Sequence, residues 1–359
     1  MKKLVERFER PLIIAGPCSA ETEVQLMETA LRLQREGKTN ILRAGIWKPR
    51  TRPNSFEGVG EIGLEWLANA GKETGLLTTT EVANARHAEL ALAAGIDVLW
   101  IGARTTVNPF AVQEIADALS GTNIPILIKN PVNPDVQLWI GAFERLAQVG
   151  LNDLTAIHRG FSVYKHAKYR NVPDWEIPIA FREYMPEIPM ICDPSHITGN
   201  RQLLAEVSQK AFDLNFDGIM IEVHRDPDNA WSDAAQQITP EVLSTLINNL
   251  VLRSHLVSVD VASQIDDIRL KVSDLDDRLF EILSVRMQLS EEVGKLKREN
   301  NITILQQAHW QALIQHRLAN SSDYKLTRRF VRKLMDAIHQ ESIRHQTAIM
   351  NPWRSDEDE

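Results

Sequence analysis

A chain of 359 residues is long for one core and suits a large barrel with an appendage, or two domains. Hydrophobic content of 43% and charged content of 25% are those of an ordinary globular protein, and a net charge of −8 argues against a nucleic-acid partner. No apolar run approaches the roughly 20 residues of a membrane span. The opening MKKLVERFERPLIIAGP interleaves Glu6 and Glu9 with its basic residues, unlike a signal peptide. The two cysteines, Cys18 and Cys192, suit the reducing cytoplasm and leave both thiols free for metal or nucleophilic work.

From residue 11 to about 250, short apolar runs alternate with helical patterns. Strands are expected at 11–18, 40–46, 76–81, 97–102, 125–129, 154–158, 189–192 and 218–223. Amphipathic helices are expected at 23–34, 63–74, 84–94, 109–119, 135–149, 178–184, 201–214 and 240–251. Eight strands, each followed by a helix, predict a (β/α)8 TIM barrel with strands buried on both faces, in preference to an open doubly wound sheet. Helical periodicity then takes over: one long amphipathic helix at 263–300, a break, and two further helices at 306–319 and 323–350. The expected division is a barrel domain at 1–252, a linker at 253–262, an all-α three-helix domain at 263–350 and an acidic tail at 351–359. A long helix folded on two shorter ones cannot bury its whole apolar stripe, so self-association to at least a dimer is expected.

Barrel active sites are built at the carboxyl ends of the strands. Here those ends carry Cys18, then Arg43 with Lys48 and Arg50, Glu81, Arg104, Lys129, Arg159, Asp193 with His196, and Glu222. Two chemistries separate. Cys18, His196, Glu222 and one of Asp226, Asp228 or Asp233 form a thiol, imidazole and carboxylate set suited to a divalent transition metal. Arg43, Lys48, Arg50, Arg104, Lys129 and Arg159 are too many cations for one carboxylate and suit two phosphorylated substrates, or a phosphorylated carboxylic acid plus another phosphate.

The motifs GPCSAE at 16–21, LRAGIWKPRT at 42–51, GART at 102–105, HRG at 158–160, DPSH at 193–196, IEVH at 221–224 and WSDAAQQ at 231–237 resemble those of 3-deoxy-D-arabino-heptulosonate 7-phosphate (DAHP) synthase, in its short type I-beta branch. The resemblance implies condensation of phosphoenolpyruvate with erythrose 4-phosphate, releasing phosphate, at the start of the shikimate pathway. It implies one divalent metal, manganese first with iron, cobalt or zinc as alternatives, on Cys18, His196, Glu222 and Asp233. It places phosphoenolpyruvate on Arg43, Lys48, Glu81, Gly102, Ala103, Arg104, Lys129 and Arg159, and erythrose 4-phosphate on Lys48, Pro49, Arg50, Thr51 and Asp193. Lys48, Arg50, Glu81, Lys129 and His196 are the implied catalytic set. The sister family, 3-deoxy-D-manno-octulosonate 8-phosphate synthase, shares most motifs, but carries an Asn-Arg-Ser type element where this chain has Lys48-Pro49-Arg50-Thr51. Arg52 departs from the family's usual small residue, and GARTTVNPF from its usual wording.

In the helical region, Arg269, Arg286 and Lys297 line one side of the long helix, compatible with either a buried anion site or a solvated face. IRLKVSDLDDRLFEILSVRMQLSEEVGKLKRENN at 268–301, with ESIRHQ at 341–346, resembles the all-helical chorismate mutase family over about 263–350. The resemblance implies a dimer and a chorismate or prephenate site on Arg269, Arg286, Lys297, Gln306, Ser342 and Gln346, with Arg269 reaching into the partner's site. A unimolecular rearrangement of a dianion needs cations and hydrogen-bond donors, not an acid, base or nucleophile. Gln306 and His309 stand where the family usually has Asp and Arg, so a regulatory binding module is the alternative to a mutase. The short joint between the regions suggests feedback by chorismate or prephenate on the barrel.

Overall fold

The computed structural model describes residues 2–48, 56–164, 168–253 and 259–351. The chain divides into two compact units, Met1–Arg253 and Ser254–Glu359.

In the first unit, eight parallel strands close into a barrel in sequence order: β1 (Leu12–Gly16), β2 (Ile41–Arg43), β3 (Leu77–Val82), β4 (Val98–Ile101), β5 (Ile126–Lys129), β6 (Leu154–His158), β7 (Met190–Cys192) and β8 (Gly218–Glu222). β8 pairs back onto β1, with Gly16 opposite Glu222. Alternate residues point to opposite faces of each strand. Leu12, Ile14, Val98, Trp100, Ile157 and Met220 fill the lumen, where Leu4 from a short N-terminal turn joins them. Ile13, Ala15, Leu99, Ile101 and Ile128 belong instead to the larger cluster under the helices. Both faces are buried, which is why the strands read as unbroken apolar runs.

The helices of this unit are α1 (Glu23–Glu36), α2 (Ile62–Thr74), α3 (Ala85–Ala93), α4 (Ala103–Thr106), α5 (Pro109–Leu119), α6 (Val136–Gln148), α7 (Glu176–Tyr184), α8 (Pro194–Thr198), α9 (Leu204–Asp213) and α10 (Pro240–Asn249). Short polar side chains start many of them. Thr22, Asn84, Asp135 and Thr239 each accept a backbone N–H of the first turn, which would otherwise go unpaired. Two short helices, α4 and α8, occupy stretches that the sequence assigns to strand-end motifs. They are too short to show periodicity, but Asp193, accepting from His196 N with Pro194 at the first helical position, is the local signal for α8.

The second unit contains α11 (Val259–Glu299), α12 (Gln307–Ala319) and α13 (Arg328–Met350). Helix α11 starts four residues ahead of the expected 263, inside the stretch read as linker. Helix α13 begins later than expected because Thr327 caps it by accepting from Phe330 N. The acidic tail from 352 onward lies outside the described residues.

Trp139 of α6 is fully buried against Phe143 and Phe181, and its indole N–H donates to the Ile128 carbonyl at 3.2 Å. Replacing Trp139 by Ala is expected to remove about 3–5 kcal/mol of barrel stability. Urea unfolding should show the loss, and Trp139→Phe should retain most of it.

Candidate functional site

At the carboxyl ends of the strands lies a cavity of about 260 Å³, whose lining includes Glu81, Gly102, Ala103, Arg104, Lys129 and Arg159. These are six of the eight residues expected to hold phosphoenolpyruvate. Trp100 lies in the lumen beneath this rim. Its ring faces the Arg43 guanidinium at 4.9 Å and the Lys129 ammonium at 5.7 Å, and its indole N–H donates to Glu81 Oε2 at 3.2 Å. A Cβ on Gly102 would sit 1.9 Å from Glu81 Oε1, so that close approach requires glycine. Burial lowers the Arg159 pKa to about 10, still leaving it cationic at neutral pH.

The other two expected residues stand beside a second cluster. Arg43 is nearly fully buried, with Nη2 3.3 Å from Glu222 Oε1. Lys48 Nζ lies 3.2 Å from Cys18 Sγ, which is in turn 3.2 Å from Asp233 Oδ2. The ligand atoms of Cys18, Glu222 and Asp233 all fall within 4.8 Å of one another. His196, the fourth expected ligand, lies outside that group, with Nε2 3.7 Å from Glu222 Oε1. Pro49, Arg50, Thr51 and Arg52 lie outside the described residues.

Charge in this cluster is finely opposed. Burial, then Glu222, pushes the Cys18 thiol up to about 12. Burial would raise the Asp233 and Glu222 carboxyls as well, but Arg170 and His196 hold the first, and His196 and Arg43 the second, below the usual range. Burial lowers His196 too, favouring the neutral imidazole that a metal requires. Glu222 Oε1 is buried and makes no hydrogen bond among the described residues. A thiol and two converging carboxylates, one with a buried oxygen that faces Arg43 without a hydrogen bond, fit a divalent cation; a bound cation would also favour the thiolate.

Asp193 is set back from the cavity. It is fully buried, with Oδ2 2.8 Å from Lys129 Nζ and Oδ1 accepting from His196 N at 3.0 Å. The resemblance implies a sugar-phosphate contact for Asp193, whereas its carboxylate here holds Lys129 and the first turn of α8.

In the helical unit, Lys297 is buried between α11 and α13, donating to Gln346 Oε1 at 3.0 Å and to the Ile304 carbonyl at 2.6 Å. The half-buried Arg286 donates to Ser342 Oγ. Four expected residues therefore converge. Arg269, Gln306 and His309 do not: all three are exposed, and Arg269 pairs with Asp266 on its own helix.

Comparison with known proteins separates the two units. Residues 7–256 match the profile of the DAHP synthetase I family. The chain belongs to that family. Residues 268–347 match chorismate mutase type II, so a synthase domain is followed by a mutase domain. The chain is 32% identical over 253 residues to the phospho-2-dehydro-3-deoxyheptonate aldolase of Thermotoga maritima, covering 69% of this chain and 71% of that protein. The crystal structure of the Thermotoga enzyme superposes with a TM-score of 0.59 at 32% identity, covering 66% of this chain and 67% of the other. A 2-dehydro-3-deoxyphosphooctonate aldolase from Wolinella succinogenes is 26% identical over 270 residues, covering 68% of this chain and all of that protein.

Several residues around the cavity and the Cys18 cluster escape sequence reasoning. Trp100 reads as one more apolar residue of β4, and Arg170 and Gln236 follow no strand directly. In the mutase domain, Trp310 and His339 stack at 3.8 Å from different helices, beyond the reach of local spacing.

His158 ends β6 without entering the cavity's lining, packed among Phe161, Trp175 and Phe216. Burial drives its pKa down from 6.5 to about 3. The unfolded chain therefore binds a proton below 6.5 that the folded protein refuses until about 3, and stability is lost as pH falls through that window. A His158→Phe variant should lose up to about 1.4 kcal/mol per pH unit of that acid slope, as urea titrations at stepped pH would show.

Proposed function

We propose that the synthase domain condenses phosphoenolpyruvate with erythrose 4-phosphate, using a divalent metal, and that the mutase domain rearranges chorismate and feeds back on the barrel. The observation that carries the first part is a cavity lined by Arg104, Lys129 and Arg159, together with a rim that carries the converging Cys18, Glu222 and Asp233. Phosphoenolpyruvate offers a carboxylate and a phosphate, which need several fixed cations. Arg104, Lys129 and Arg159 are assigned to them, with Arg43 and Lys48 completing the set. Lys129 is preset by Asp193, and Arg43 by Glu222 and the Trp100 ring. Preset donors do not have to reorganise as charge moves in the reaction.

Cys18, His196, Glu222 and Asp233 are assigned to the metal, with manganese first among iron, cobalt and zinc. The metal would supply Lewis-acid polarisation of the sugar aldehyde. Carbon 3 of phosphoenolpyruvate bonds to the aldehyde carbon, whose oxygen takes up a proton. Water adds at carbon 2, and the carbon 2–oxygen bond to phosphate then breaks. Glu81, held by the Trp100 indole, is assigned the proton of that water.

For the mutase domain, Arg286 and Lys297 are assigned to the two carboxylates and the ether oxygen of chorismate, oriented by Ser342 and Gln346. Arg269, Gln306 and His309 are assigned to sites completed by a second copy of the chain. The support is α11 itself, where Ile268, Val272, Leu275, Leu279, Ile282 and Leu289 are all exposed. So long an apolar stripe calls for a partner. A purely regulatory domain is the second reading, favoured by the neutral, exposed Gln306 where the family carries an Asp.

Phosphate release from phosphoenolpyruvate should proceed with erythrose 4-phosphate and not with arabinose 5-phosphate, and should stop on chelation. Equal rates with both sugars would reject the substrate assignment. Lys297→Ala should lower mutase turnover by about 100-fold or more while leaving phosphate release unchanged. If the wild-type chain does not convert chorismate, yet prephenate inhibits phosphate release, the regulatory reading holds instead.

A further inference from the structure

Arg170 and Asn171, in the segment between β6 and α7, have no part in the assignments above, yet they contact both the helix that carries His196 and the Asp233 carboxylate. Asn171 N donates to the Ile197 carbonyl at 3.0 Å, and its side-chain amide donates to the His196 carbonyl at 2.6 Å. Arg170 N donates to the Thr198 carbonyl at 3.3 Å. The pair thus runs along the end of α8, the helix that carries His196.

The guanidinium reaches the other side. Arg170 Nη1 donates to Asp233 Oδ1 at 3.0 Å and to Gln236 Oε1 at 2.8 Å. The Gln236 amide passes the constraint on, donating to Glu222 Oε2 at 2.6 Å. One nitrogen therefore orients Asp233 directly and Glu222 through one intermediary. The Asp233 backbone is left-handed, with φ of 50°. With Oδ1 on Arg170, its Oδ2 is the oxygen turned to Cys18 Sγ.

Space for this arrangement is built in. A Cβ on residue 199 would stand 2.7 Å from Arg170 Cβ and 3.0 Å from its Cδ, and Gly199 itself has φ of +61°. Only glycine allows the arginine stem to pass there without strain. Arg170 also lines the anion cavity with Arg104, Lys129 and Arg159. Its side chain therefore borders both the cavity and the Asp233 carboxylate.

We propose that Arg170 is a positioning residue that orients the Asp233 and Glu222 carboxylates for the metal and ties them to occupancy of the anion cavity. The proposal rests on the metal and phosphoenolpyruvate readings given above. If both ligands act on the same guanidinium, each must change the affinity of the other by the same factor.

The test titrates Mn2+ into metal-stripped full-length protein, with and without phosphoenolpyruvate and in the absence of sugar. Free Mn2+ is read by electron paramagnetic resonance. Loss of tight binding in Cys18→Ala establishes the metal site independently. Arg170→Gln should weaken Mn2+ binding by about 10–100-fold, the usual cost of removing an outer partner of a metal ligand. It should also remove most of the effect of phosphoenolpyruvate on Mn2+ affinity. Arg170→Lys, which keeps the charge but loses the fork, should fall between, and carries the test if the Gln variant does not fold. Wild-type Mn2+ affinity in Arg170→Gln, or a wild-type affinity indifferent to phosphoenolpyruvate, overturns the proposal and leaves the metal site standing. A wild-type protein that binds no Mn2+, or a Cys18→Ala variant that binds it normally, overturns both.

Discussion

The constraint on which the synthase domain turns is a buried ion pair spanning the top of three strands. Arg43 ends β2, Glu222 ends β8, and β1 lies between them with Gly16 at its tip. Gly16 has φ of +148°, and a Cβ there would meet the Arg43 carbonyl at 2.1 Å, so only glycine lets β2 come this close. Burying two charges costs several kcal/mol each unless geometry and hydrogen bonds offset it. Part of the offset is present, in the 3.3 Å pair and the Trp100 ring. Part is missing, since Arg43 Nε and Nη1 and Glu222 Oε1 make no hydrogen bonds among the described residues. Buried charged atoms left short of partners are expensive. Their concentration beside Cys18 and Asp233 is what supports the proposed ligand site at this rim.

From that pair the rest of the rim follows as a relay of opposite charges. Lys129 is neutralised by Asp193, which also anchors the first turn of α8 and so places His196. Asp233 is held by Arg170, and Glu222 by Gln236. Trp100 supplies a common floor for two cations and a donor for Glu81. Lys129 and Arg170, which line the cavity, are held by carboxylates, which limits the side-chain entropy lost when an anion arrives.

What the sequence reveals of this, and what it hides, has a physical division. The strands are legible because burial on both faces demands continuous apolar runs, and the charges are legible because each run ends at one. Cys18, Arg43, Lys129 and Glu222 are all found that way. The braces are not, because they come from loops with no period. Arg170 stands twelve residues past the end of β6 and Gln236 well beyond β8, so only the fold brings them to Asp233. Trp100 hides for the opposite reason: inside an apolar strand, a tryptophan is expected to be core. Asp193 illustrates a subtler gap, since a carboxylate in a strand-end motif announces importance without saying whether it faces a ligand or holds what does.

On the proposed reading, the helical domain meets its charge requirement by a different route. Its periodicity is plain in the sequence, but periodicity cannot say which part of a stripe the same chain will cover. Along α11 the covered part lies toward the C-terminus, where Met287 and Lys297 are buried, while Ile268 and Leu275 remain about 60% exposed. Arg269 sits in that exposed half, away from Arg286 and Lys297. The synthase site desolvates its cations when the barrel closes, so its charges are set once the chain folds. A mutase site that takes its remaining cation from another copy would desolvate it only on association. Its affinity for a dianion would then depend on protein concentration, while the barrel's would not. The two halves of one polypeptide thus reach the same end, cations fixed before substrate arrives, through intramolecular folding in one case and through self-association, on the reading proposed here, in the other.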